Sequence, residues 1–151
     1  AAHAIVPFYG QGMNCGFEDC TVLDSLIEKH NHNWSKIMPE FEELRQPAAD
    51  GIAELAVLNF IEMRDLVGKP DFLLRKKIEA RFSTKYPELW TPLYTMVTFS
   101  DMPYHIALAE GKRQEKLMDE VMAIPGIENK WESEEVEQLL VKLCGATEVA
   151  G

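Results

Sequence analysis

The stretch Pro7-Phe8-Tyr9-Gly10-Gln11-Gly12-Met13-Asn14-Cys15-Gly16-Phe17-Glu18-Asp19-Cys20 decides how the rest of the chain is read. Glycines at 10, 12 and 16 make a loop whose backbone a ligand can approach closely. Phe17, Cys20, Leu23 and Ile27 then recur at helical spacing, so a helix is expected after Gly16. Glu18 and Asp19 fall in its first turn, where acids suit the helix dipole. The free N–H groups of such a helix point back at the loop and favour an anion or an electron-rich oxygen. The loop is not a phosphate loop, because no Gly-Lys-Ser/Thr follows. Nor is it the dinucleotide fingerprint, which follows a strand and spaces its glycines differently. Taken alone, a Gly-x-Gly turn is an ordinary helix cap.

Outward from this stretch, helical signals dominate. His30-Asn31-His32-Asn33 interrupts the first helix. Pro39 suits the early turn of a helix carrying Phe41 and Leu44, and Arg45-Gln46-Pro47 reads as a corner. A long helix is expected from Pro47 to about Val67, closed by Gly68 and Pro70. Another runs from Asp71 to before Pro87, with Phe72, Arg75, Ile78 and Phe82 in register. The segment Trp90–Phe99 is aromatic and β-branched, but it has no convincing partner strand. It is read as an extended or short helical segment packed on helices. Ser100 is the expected N-cap of a helix over Asp101–Met122, and Ser133 caps a last helix ending at Gly145. The expected fold is all-α, with five to six helices. Residues 1–16 form its opening loop, 17–145 its helical domain and 146–151 a disordered tail.

Composition narrows the function classes. A chain of 151 residues, 46% hydrophobic and 26% charged, suits one globular domain. A net charge of -10 excludes a nucleic-acid surface, and the short basic run Arg75-Lys76-Lys77 reads as a solvated helix face. Cys15, Cys20 and Cys144 fit neither a disulfide framework nor a zinc site, so a reduced, cytoplasmic setting is expected. No apolar run is long enough for a membrane span.

Beyond the loop, three sets of side chains invite a functional reading. Asn59, Glu62 and Met63 share one helix face through offsets of three and four. They read as the wall of a polar-lined pocket or as an exposed, locally satisfied pair. Tyr94 offers an apolar body with one polar tip, which suits an aromatic ligand or a core position. His30 and His32 lack further metal ligands, and His105 reads as a surface residue. His3 reads as structural. Cys15 near a helix N-terminus has the setting that lowers a thiol pKa, with no other sign of a nucleophile.

Several strings carry a resemblance. His3…Pro7-Phe8-Tyr9-Gly10-Gln11-Gly12-Met13-Asn14 resembles the flavin motif of FAD-dependent aromatic hydroxylases. Together with Asn59-Phe60-Ile61-Glu62-Met63-Arg64 and Leu93-Tyr94-Thr95-Met96-Val97-Thr98-Phe99-Ser100, it is similar to the kynurenine 3-monooxygenase family over about Ala1 to His105. The resemblance implies an FAD enzyme, reduced by NADPH, that hydroxylates L-kynurenine to 3-hydroxykynurenine. It implies that Met13 and Asn14 contact the flavin while Gly10, Gln11 and Gly12 shape its approach. It places Pro7 and Phe8 near the ring face, Asn59 and Tyr94 at the amino-acid end of the substrate, and Glu62 and Met63 along the same pocket. None of these is an acid–base catalyst.

The chain departs from the family pattern in three ways. It lacks the Gly-x-Gly-x-x-Gly half, the Asp expected just before Ala1, and the upstream Arg that the family uses with the tyrosine. It is therefore expected to be the C-terminal part of a longer, bacterial enzyme whose N-terminal FAD-binding domain is its missing partner. Alone it is expected to be inactive and to bind no cofactor. Self-association through an exposed cleft is also expected. Two alternatives stay open: a related flavin hydroxylase acting on another aromatic substrate, and a freestanding helical binding module.

Overall fold

The computed structural model describes residues 4–147, with side chains through 145. His3 and the expected tail from residue 148 on lie outside the described residues. The described residues form helices and no strand. Seven α-helices follow in order: α1 (Gly12–Lys29), α2 (Trp34–Ile61), α3 (Pro70–Lys85), α4 (Leu93–Phe99), α5 (Tyr104–Met122), α6 (Ile127–Lys130) and α7 (Glu134–Thr147). A π-helical turn, Glu62–Leu66, continues α2. The all-α expectation is met, with more helices than the five to six foreseen.

Several boundaries differ from the sequence reading. The first helix begins at Gly12, so Met13 to Gly16 are helical rather than loop. Its inward face is Cys15, Asp19 and Leu26, whereas Phe17 and Cys20 are exposed. The residues read as its apolar stripe are therefore turned partly outward, because a buried polar cluster takes the inner face. The corner expected at Arg45-Gln46-Pro47 does not form. Both Pro39 and Pro47 lie inside the 28-residue α2. Each lacks the N–H that would bond four residues back, but the flanking turns hold the helix together. Trp90–Phe99 resolves into a seven-residue helix, α4, after an irregular start. Ser100 does not cap α5: its hydroxyl donates back to the Met96 carbonyl at 2.6 Å. The carbonyl of Pro103 instead receives the first N–H groups of α5, from Ile106 and Ala107. Ser133 does cap α7, its hydroxyl accepting from the Val136 N–H.

The chain divides into two compact units. The first holds the chain up to Arg64 together with Met102–Leu108, and the second holds Asp65–Asp101 and the chain from Ala109 on. In the first unit, α1 and α2 bury Cys15, Leu26, Ile37, Ile52, Leu55 and Ala56, with Tyr104, Ala107 and Leu108 also buried. Gly51 permits close approach here. A Cβ at that position would sit 2.7 Å from the His105 backbone nitrogen. In the second unit, Ile78 and Phe82 of α3 pack with Trp90, with Leu117, Met118 and Val121 of α5, and with Ile127, Val136, Leu140 and Cys144. Trp90 meets Phe82 edge-on at 5.9 Å. The Tyr86 hydroxyl donates to Glu137 at 2.6 Å, and Lys85 pairs with the same carboxylate, tying α3 to α7. Both partners, Lys85 first, hold the Glu137 carboxyl below its usual pKa.

Candidate flavin and substrate site

In the first unit the candidate residues cluster around the start of α1 and the end of α2. Gly10 has φ 74°, a left-handed conformation that favours glycine. Gln11 occupies the N-cap position of α1 but supplies no side-chain cap. Its carbonyl accepts the Cys15 N–H at 2.9 Å. Its side-chain oxygen instead accepts from Asn14 Nδ2 at 2.7 Å, which holds the Asn14 amide beside the helix terminus. The amides of Gly12, Met13 and Asn14 precede the first intrahelical bond and have no partner four residues back. Gln11 is buried, whereas Met13 is 70% exposed.

Gly12 and Gly16 are informative because they are unneeded by the fold. Both are helical, and a Cβ built on either would meet nothing within 4 Å. Alanine would serve a helix better by about 1 kcal/mol. The space beside this backbone is open, which is what a flat ring approaching the terminus requires. The residues present therefore fit a flavin edge.

Pro7 and Phe8 are both exposed and are held from the end of α2. Asn59 Nδ2 donates to the Phe8 carbonyl at 2.7 Å and lies 3.8 Å from Met63 Sδ. The Phe8 ring stacks on Phe60 with centroids 4.3 Å apart and planes 28° from parallel. The Arg64 guanidinium lies 5.0 Å from the Phe60 centroid. The structure thus brings together Phe8, Asn59 and Met63. Glu62 and Met63 begin the π-helical turn rather than ending an α-helix. Such turns recur at functional sites, and no residue in Glu62–Leu66 signals one in the sequence.

Tyr94 belongs to the second unit. It lies on α4, exposed, with its ring edge-on to Phe99 at 6.1 Å and 72°. Phe99 is 74% exposed. Met96 and Val97 supply the buried side of this short helix, and Leu93 packs against Gly111.

The remaining candidates settle into structural roles. His30 Nε2 pairs with Glu40 at 2.6 Å, and Lys29 reaches the same carboxylate. His105 is exposed. Burial and the nearby Asp19 push the Cys15 thiol pKa up against the lowering by Arg45, so the thiol is not activated as its place near a helix terminus suggests. Among the described residues, Cys15, Cys20 and Cys144 form no disulfide.

No family model matches the chain. A curated protein from Christiangramia forsetii, named kynurenine 3-monooxygenase, is 54% identical over 143 residues, 95% of this chain. The chain is homologous to kynurenine 3-monooxygenase. Proteins of that name from Anopheles gambiae and Sus scrofa are 48% and 47% identical over 81% and 79% of the chain. The chain spans about a third of the length of the bacterial kynurenine 3-monooxygenase (32%) and a quarter of the animal ones (25%). The bacterial match also runs well past His105, where the resemblance read from motifs stopped. Among the described residues, no helix is long and apolar enough to cross a membrane.

Proposed function

We propose that this chain forms the flavin-facing helix terminus and the substrate-side wall of an FAD- and NADPH-dependent monooxygenase that converts L-kynurenine to 3-hydroxykynurenine. The observation that carries the proposal is the uncapped start of α1 beside two glycines whose flanks are open. Reduced FAD, when bound, supplies the activation of dioxygen from which one oxygen atom enters the ring beside the amino group and the other leaves as water.

This chain's own residues bind, orient and shield. The amides of Gly12, Met13 and Asn14 and the positive end of α1 stabilise negative charge on a reduced flavin. Gly10, Gln11 and Gly12 leave room for its edge. Pro7 and Phe8, fixed through Asn59, present an apolar surface that keeps water from the reacting face. In the first unit Asn59 holds the amino-acid end of the substrate, with Glu62 and Met63 beside it on the turn that continues α2. Tyr94, exposed on α4 of the second unit, is a further substrate-binding candidate. The partner is an FAD-binding domain belonging to the other two thirds of a chain of the relatives' length. Three cysteines, an odd number at spacings that fit no disulfide framework, support a reducing, cytoplasmic setting.

By itself the 151-residue chain is expected to oxidise no NADPH in the presence of FAD and kynurenine. Reading the coding region upstream of Ala1 tests the origin of the chain. Gly-Asp immediately before it, with Gly-x-Gly-x-x-Gly further up, is the expected result. Kynurenine-stimulated NADPH oxidation by the isolated chain would overturn the division of labour. Isolated, the chain also leaves Met13, Phe17 and Met63 exposed in its first unit. Self-association at high concentration is expected, and a strictly monomeric sedimentation profile would contradict it.

A further inference from the structure

Arg45 plays no part in the flavin reading, yet it is one of the few buried charged residues, at 9% exposure. From the middle of α2, its Nε donates to Asp19 Oδ1 at 2.6 Å and its Nη2 to Glu18 Oε2 at 3.0 Å. The same Nη2 reaches the Cys15 carbonyl at 3.4 Å and lies 3.6 Å from the Cys15 sulfur. Tyr104 is buried at 4% exposure, and the charge of Glu18 adds to burial in raising its pKa. Burial works against the Arg45 charge, but the two carboxylates outweigh it and hold the guanidinium protonated.

A buried ion pair is a weak way to hold two helices together, since apolar packing does so at least as well. A planar, forked cation contributes geometry instead. All its α1 acceptors fall within Cys15–Asp19, directly behind the terminus at Gly12–Asn14. The path continues by hydrogen bonds. Cys15 donates its N–H to the Gln11 carbonyl, and Gln11 accepts from the Asn14 side chain. We propose that Arg45 is a positioning residue that fixes the roll and height of α1, and so aims the amides of Gly12, Met13 and Asn14. That those amides face a flavin rests on the function proposed above; the positioning itself does not.

Nuclear magnetic resonance on the 151-residue chain tests it. Arg45→Lys keeps the charge and loses the fork, and Asp19→Asn keeps the shape and weakens one arm. Both should leave the cooperative melt and the amide protection of α7 in place. Order parameters at Gly12–Asn14 should fall from about 0.85 to below about 0.6, and the Cys15 amide should exchange about tenfold faster. Unchanged order at Gly12–Asn14 in folded variants overturns the proposal, as does a uniform loosening of α1 and α2. A separate arm places the chain, with and without Arg45→Lys, in the Christiangramia forsetii relative and records the flavin absorbance spectrum. A shifted spectrum in the variant supports the aiming. Failure of the unsubstituted hybrid to hold flavin overturns the flavin reading, while the order parameters still decide the positioning.

Discussion

Asn59 donates its side-chain N–H to the carbonyl oxygen of Phe8 at 2.7 Å, across 51 positions of sequence. One amide thus pins the segment that leads into α1 onto the end of α2. Asn59 is expected to shape the site through Phe8 as well as through any ligand it touches. Replacing it with alanine should cost about 1 kcal/mol of stability, the usual net worth of one hydrogen bond. It should also speed amide exchange at Tyr9 and Gly10. Chemical denaturation and hydrogen exchange measure both, and unchanged exchange at Tyr9 and Gly10 would remove the pinning role.

Gly12 separates fold from function. Because the space beside it is open, Gly12→Ala should leave the melting temperature equal or higher, by up to about 1 kcal/mol of added helix preference. In a flavin-binding hybrid the same methyl should weaken flavin retention at least about tenfold through close steric contact. A destabilised variant, or one that keeps flavin fully, contradicts the reading of the open flank.

Tyr104 should be the last tyrosine to ionise. Burial, followed by the charge of Glu18, pushes its pKa to about 12 from the ordinary 10.0. The folded state therefore holds this proton longer than the unfolded chain does. Stability from this group is complete below pH 10.0 and is lost as pH rises toward about 12. Tyrosinate absorbance against pH should show a late phase that coincides with alkaline unfolding, and Tyr104→Phe should reduce it.

Thr98 carries a buried hydroxyl oxygen with no hydrogen-bond partner among the described residues. Such an atom costs about 1–3 kcal/mol relative to a satisfied one. Thr98→Val conserves the shape and should raise stability by about 1 kcal/mol, read as a higher denaturation midpoint. A lower midpoint would show that the hydroxyl is satisfied in solution.

The helical class was legible because apolar periodicity survives in most segments, and Ser133 marks a real helix start. Pro70, read as closing the helix before it, instead opens α3. The misread places share one cause. Locally, Pro47 signals a break and Phe17 an inward face; tertiary neighbours override both, leaving Pro47 inside α2 and Phe17 exposed. The Arg45 cluster turns α1 so that Asp19, not Cys20, faces inward. No local pattern announces that pairing, since its members lie 26 positions apart. An arginine in helical register with Ala48, Ile52 and Leu55 is the available clue. The candidate residues stand out in the sequence as motif strings. Their local geometry, such as the π-helical turn at Glu62 and the hold of Asn59 on Phe8, depends on contacts that the strings do not encode.

The most direct test of the central claim replaces the matching third of the Christiangramia forsetii relative with this chain and measures kynurenine-dependent NADPH oxidation together with 3-hydroxykynurenine. Flavin retention and coupled product formation, both weakened by Gly12→Ala, are the expected result. A folded hybrid that holds flavin yet shows no response to kynurenine would contradict the account.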